Sequence, residues 1–193
     1  HTADAPVEKN AFFSFSYGLF VLTAREGEKD NGCIINTAAQ LTDTPKRISI
    51  AVNKANYTHD MIRRTGVFNL SMLSTDAPFG LFQHYGFQSG RDVDKFSAMH
   101  LTPSPAAKVG TVLVEESPVN LECKVTQVIP LGSHDLFLAE VVAVDVDERL
   151  LDESGKLCLN KANLIVYSHG DYLALGRKLG SFGYSVRKKP RKK

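Results

Sequence analysis

The run Asn53-Lys54-Ala55-Asn56-Tyr57-Thr58-His59 concentrates polar chemistry between an apolar, strand-like segment and a helical one. A helix start offers unpartnered N–H groups and the positive end of the helix dipole, and here a lysine, two amides and a threonine hydroxyl join them. That combination suits a phosphate. The same residues also make an ordinary capped turn, and spacing alone leaves both readings open. A second group lies in residues 31–40, NGCIINTAAQ, where an apolar strand ends in small polar residues. Asn36 and Thr37 can hydrogen-bond a flat heterocycle while Ala38 and Ala39 leave room for it, or they can simply end a strand in an asparagine turn. A third, residues 89–96 (SGRDVDKF), mixes charge with one aromatic, as either a loop over an anionic ring or a solvated one.

Other chemistries lack their signatures. There is no G-x-G-x-x-G after a strand, no G-x-x-x-x-G-K-[ST], no H-E-x-x-H and no G-x-S-x-G, which argues against a Rossmann dehydrogenase, a P-loop enzyme, a zincin and a common serine hydrolase. The six histidines are scattered without ligand spacing, so no metal site is expected. Cys33, Cys123 and Cys158 are far apart and form no C-x-x-C pair, so neither a disulfide framework nor a structural zinc is expected. Cys33 has the apolar neighbours Ile34 and Ile35 and reads as a buried, inert thiol.

The elements that must position these groups follow from a chain of 193 residues, 43% of them hydrophobic, the size of one domain. No stretch approaches the roughly 20 apolar residues of a membrane span, and the polar N-terminal HTADAPVEKN shows no signal peptide. The expectation is a cytoplasmic protein. The net charge of +2 depends on the terminal RKKPRKK; the remainder holds 17 basic against 21 acidic residues, a net of −4. No aromatics interleave with those terminal charges, so residues 187–193 are expected to be a disordered tail and no nucleic acid is expected as a partner. Residues 1–186 form the single domain.

Most apolar runs are short and rich in Val, Ile, Thr and Phe, as in strands. Strands are expected at residues 12–24, 33–40, 47–52, 67–73, 111–115, 119–129, 134–146 and 164–168, with the first hairpin turning through Asp30-Asn31-Gly32. A helix is expected at residues 58–65, capped by Thr58 and closed by Gly66. A second is expected at 76–85, and a third, interrupted by Gly176, in DYLALGRKLGSFGYS. In LECKVTQ, Leu121, Cys123 and Val125 alternate with Glu122, Lys124 and Thr126, which predicts one dry face. In HDLFLAEVVAVDV both parities are largely apolar, as in a barrel wall that also packs against a helix or a second subunit. The expected fold class is therefore mainly β, a closed or nearly closed barrel with a few short helices.

Taken in order, SYGLFVLTA, NGCIINTAAQLTDTPKRISIAVNKANYTHDMI, GVFNLSML, FQSGRDVDKF and SHDLFLAEVVAV resemble the flavin reductase-like family, the FMN-binding split β-barrel of Greek-key type. The resemblance covers residues 16–146 and is especially close to flavin reductase-like domains fused to rubredoxin. It implies a homodimer with FMN near the subunit interface. The strand Cys33 to Thr37, Ile34 included, would line the isoalloxazine, with Asn36 and Thr37 bonding its edge, and Asn31 would be a further cofactor-binding residue. Asn53, Lys54, Tyr57 and Thr58 would hold the ribityl chain and phosphate. Arg91 and Lys95 would approach from their loop, and His134 and Phe182 would close the site near the ring. A cation beside the ring would favour the reduced, anionic flavin. No side chain is needed as nucleophile or general base.

Two functions follow from the resemblance. One is an NAD(P)H-dependent flavin oxidoreductase that passes electrons through FMN to free flavin, ferric iron or a redox partner protein. The other is a flavoredoxin-like carrier that exchanges electrons with rubredoxin-type proteins without oxidising NADH or NADPH. No rubredoxin C-x-x-C pairs follow the domain here, so such a partner would be a separate protein.

Overall fold

A computed structural model describes residues 9–76 and 102–183. The expected helix at 76–85 lies outside these residues except for its first position, as does the 89–96 loop. Among the described residues no helix is long and apolar enough to cross a membrane.

The chain enters through a 3-10 helix, Lys9–Ser14, and a two-residue strand β1, Tyr17–Gly18, before β2, Phe20–Glu26. The single long strand expected at 12–24 is thus divided. The division falls beside Gly18, where a Cβ would lie 2.5 Å from the tip of the Phe20 ring, so glycine lets that ring lie against the backbone. A two-residue turn at Gly27–Glu28, with Gly27 at φ 61°, leads to β3, Lys29–Ile35. The turn therefore precedes Asp30-Asn31-Gly32, which belong to the strand. The following strands are β4 (Ala38–Thr42) and β5 (Arg47–Asn53). Helix α1, Tyr57–Thr65, leads into β6, Val67–Met72.

After the undescribed segment come β7 (Pro103–Pro105), β8 (Val112–Val114), β9 (Val119–Leu131) and β10 (His134–Val146). The chain closes with β11 (Ile165–Ser168) and β12 (Asp171–Ala174). The helix expected after residue 170 is instead this second strand of a hairpin. His169 and Gly170 hold φ of 50° and 84°, a left-handed pair that reverses the chain and pairs Tyr167 with Tyr172.

Seven strands form one antiparallel sheet in the order β3-β2-β6-β9-β10-β5-β4. Its two edge strands, β3 and β4, are consecutive in the chain and joined only by Asn36 and Thr37. The sheet therefore curls into a barrel split between those strands, with Asn36-Thr37 crossing the gap. The single strand expected at 33–40 is broken at that crossing. Register shifts between β9 and β10 at Leu138/Ala139 and Val141/Ala143 supply bulges that bend the two longest strands around the barrel. The interior holds Leu22, Cys33, Ile50, Phe68, Cys123 and Phe137, and α1 adds Met61 and Ile62 to the same cluster.

Leu121, Cys123 and Val125 pack on this core as their alternation predicts. On the opposite face of β9, Lys124 and Thr126 are exposed as expected, but the start of the strand is not. Asn120 and Glu122 are buried beneath residues 106–117, where the Glu122 carboxylate accepts from the N–H groups of Ala107, Lys108 and Val109 at 2.8, 2.6 and 3.1 Å. A buried carboxylate satisfied by backbone donors lets an apparently solvent-facing glutamate sit in the interior.

Candidate functional site

The polar run 53–59 is built where β5 ends and α1 begins. Asn53 closes β5 opposite His134 of β10, and its side chain accepts from Ala55 N–H at 2.9 Å. Asn56, not Thr58, caps the helix: its side chain accepts from Thr58 N–H at 3.0 Å and its carbonyl from His59 N–H at 3.1 Å. These donors are therefore already taken, which corrects the expectation of open N–H groups. What the helix start retains for an anion is its dipole and the cations around it.

Thr58 is fully buried, and its hydroxyl accepts from the Asn31 amide at 2.7 Å, tying β3 to α1. Asn31, 1% exposed, is thereby committed inside the protein. Tyr57 opens the helix, with the Lys29 ammonium 4.6 Å from its ring centre.

Lys54 is held at both ends. Its N–H donates to Ser133 O at 3.0 Å, and its ammonium lies 3.5 Å from Asp135 Oδ1. The Lys54 side chain is 41% exposed, whereas that of Asp135 is 4% exposed. An ammonium has three donors, so the contact with Asp135 leaves capacity for an anion outside. Asp135 also receives His59 Nε2 at 2.8 Å and Arg63 at 3.3 Å. The His59 hydrogen bond and then Lys54 hold its carboxyl below the usual range, against the opposing effect of burial. Burial, and then the neighbouring Glu122, push the deep thiol of Cys123 up to about 12, so it is no nucleophile.

At the gap in the barrel, the Thr37 hydroxyl donates to Ala51 O at 2.5 Å while Ala51 N–H donates to Thr37 O at 3.1 Å. These bonds lash the crossing to β5, two residues before Asn53. Ala38 and Ala39 then border an apolar recess of about 320 Å³, whose walls include Phe20, Met72 and Val144 with Lys46 and Arg47 at its margin. Ala38 stands opposite Ile50, and Lys54 follows four residues later, roughly 13 Å along the strand direction.

Asn31, Thr37, Asn53, Lys54, Tyr57, Thr58 and His134 are thus gathered around the end of β5 and the start of α1. Cys33 points into the core, and Ile34 packs on the separate cluster of Leu19, Val21 and Ile165. Asn36 is half-buried in the crossing, and Phe182 is fully exposed. Arg91 and Lys95 lie outside the described residues. Asp135 and Arg63 were not among the expected site residues. The one sequence signal for Asp135 is a carboxylate in second place on a largely apolar strand, beside His134.

A split antiparallel barrel with a cationic, polar helix start at one strand end defines the class. Residues 12–176 match the model of the flavin reductase like domain, and the chain belongs to that family. It is 32% identical over 135 residues to the high molecular weight rubredoxin of Moorella thermoacetica, a match spanning 70% of this chain and 58% of that protein. It is also 32% identical over 141 residues to the ferric-chelate reductase (NAD(P)H) of Archaeoglobus fulgidus, covering 72% and 82% respectively. Among solved structures, the flavoredoxin of Desulfovibrio vulgaris (Miyazaki F) superposes with a TM-score of 0.83 at 25% identity, over 97% of this chain and 99% of that one.

Proposed function

We propose that this chain is an FMN-dependent oxidoreductase that takes hydride from NADH or NADPH and passes electrons to free flavin, ferric iron or a redox partner protein. The observation that carries this reading is Lys54, a half-exposed ammonium anchored on buried Asp135 beside the start of α1. It fits a flavin phosphate: one cation with spare donors, at the positive end of a helix, about a ribityl chain's reach from the small residues of β4. When bound, the flavin supplies the hydride and electron chemistry.

The protein's part is to bind and orient. Lys54 takes the phosphate, Asn53 and Tyr57 border the ribityl chain, and Asn36 and Thr37 present polar groups to the ring edge from the crossing. Ala38 and Ala39 leave the ring room to lie against the barrel wall. A second copy of the chain, bound as a homodimer, completes the exposed side of the site. The resemblance to the ferric-chelate reductase supports the NAD(P)H reading.

The structural likeness to a flavoredoxin favours a second reading, in which the same site serves a carrier that exchanges electrons with rubredoxin-type proteins. An anaerobic visible spectrum of the protein with FMN, taken before and after NADH and then NADPH, separates the two. Bleaching within seconds establishes the reductase and its donor. A bound flavin reduced only by dithionite or a reduced partner protein establishes the carrier, and absence of flavin binding overturns both.

A further inference from the structure

Arg63 and Arg64 stand side by side in the last turn of α1, where basic side chains ordinarily serve the helix dipole, yet the two are held differently. Arg64 is spent: its Nε and Nη2 donate to the two carboxylate oxygens of Glu26 at 2.6 and 2.7 Å. Arg63 makes one hydrogen bond among the described residues, from Nη1 to Asp135 Oδ2 at 3.3 Å, longer than the 2.8 Å from His59 Nε2 to the same oxygen. A guanidinium has five N–H donors, so most of its fork remains for another acceptor. The Arg63 side chain is 49% exposed, whereas that of Asp135 is 4% exposed.

Asp135 thereby carries a cation on each oxygen, Lys54 on Oδ1 at 3.5 Å and Arg63 on Oδ2 at 3.3 Å. The two cations are separated by no more than this carboxylate, and both side chains are half-exposed and flexible enough to close on one small anion. Two positive charges meet one buried negative charge, so the pair faces water with a positive excess. The neighbouring carboxylates are turned to other groups: Asp60 to His59, Glu26 to Arg64 and Asp30 to Arg25. A tetrahedral phosphate offers separate oxygens to a point-like ammonium and to a planar fork, and a guanidinium can grip it with two parallel N–H groups.

We propose that Arg63 is a second cation for the flavin phosphate and that, with Lys54, it makes the site selective for a terminal phosphate monoester, as in FMN, over the bridged phosphate of FAD. The proposal rests on the assignment of Lys54 to that phosphate. A monoester carries close to two negative charges at neutral pH and has three terminal oxygens, so it engages both cations at once. The flavin-side phosphate of FAD carries one charge and commits one of those oxygens to the link with the adenylate, which leaves one of the two cations short. Arg63 is a binding residue that touches the ligand, and Asp135 is the buried group that positions both cations.

The test measures the binding of FMN, FAD and riboflavin to wild type, Arg63→Met and Lys54→Met by calorimetry at neutral pH and fixed salt, with melting temperatures alongside. Arg63→Met is expected to lower the preference for FMN over riboflavin by about three- to thirtyfold, the effect of a charged hydrogen bond reduced for a half-exposed side chain. The preference for FMN over FAD is expected to fall by about threefold or more, and riboflavin affinity to stay the same. An equal loss for all three flavins overturns the proposal and leaves Arg63 a structural partner of Asp135. A preference for FMN over FAD that Arg63→Met leaves unchanged overturns it too. In both cases the Lys54 assignment stands as long as Lys54→Met lowers the preference for FMN over riboflavin; if that preference is unchanged in Lys54→Met, the assignment falls and the proposal with it. If Arg63→Met does not fold, Arg63→Lys, which keeps a charge beside Asp135 but not the fork, is read by the same ratios. A smaller fall in the preference for FMN over FAD is then expected, and an unchanged ratio overturns the proposal.

Discussion

Asn31 Nδ2 donates to Thr58 Oγ1 at 2.7 Å, joining two fully buried polar side chains 27 residues apart. The bond fixes the first turn of α1 against β3 and so sets where the helix start points. Thr58→Val keeps the shape and removes the acceptor, leaving a buried amide donor unpaired. The expected cost is about 1–3 kcal/mol in the free energy of unfolding, read by chemical denaturation. A change under about 0.5 kcal/mol would mean that the amide finds another partner.

The Glu122 carboxylate is a second hidden anchor, gathering three N–H groups of residues 107–109. Glu122→Ala is expected to destabilise the protein by about 3 kcal/mol or more, because charged hydrogen bonds contribute about 1.5–3 kcal/mol each and the Val109 N–H would be left buried. Glu122→Gln presents an amide N–H to N–H donors and is expected to recover only part of the loss. Full recovery would show that one oxygen suffices.

For the flavin itself, Lys54→Met is expected to weaken FMN by about 1.5–3 kcal/mol, roughly ten- to a hundredfold, if the ammonium makes one charged hydrogen bond to phosphate. Riboflavin affinity is expected to stay the same. Titration of intrinsic flavin fluorescence measures both, and an equal loss for the two flavins would place Lys54 against the ring or ribityl chain instead.

Asp135 gives the fold a signature in acid. Its carboxyl is held below its unfolded value, near 3.9, first by His59 and then by Lys54. A lowered folded-state carboxyl contributes stability that is fully present above the unfolded value and is lost as pH falls through the folded one. Wild-type stability is therefore expected to drop from about pH 5 downward. Asp135→Asn should be less stable at neutral pH and show a shallower acid slope. Parallel slopes in urea titrations from pH 3 to 7 would remove Asp135 from the acid response.

Much of the barrel was legible in the sequence because alternation and β-branched composition report local burial directly. The strands at 47–53, 67–72 and 134–146 and the close of α1 at Gly66 fall within a residue of where patterning puts them. The failures have local causes that patterning does not register. The first strand divides beside Gly18, where the Phe20 ring lies against the backbone, and His169-Gly170 turns a helical-looking segment back as a hairpin.

The sequence by itself also determined the family, through ordered blocks of residues, and marked the run 53–59 as polar chemistry beside a helix start. Only the tertiary structure decided what those residues do for one another. It placed Asp135, 76 residues from His59, where His59, Lys54 and Arg63 converge, and it withdrew Asn31 and Thr58 into a buried pair. The physical reason is that periodicity records which face of an element is dry. A charge or amide on that face is tolerated only if a partner meets it, and such partners come from strands distant in sequence, brought together by the closing of the barrel.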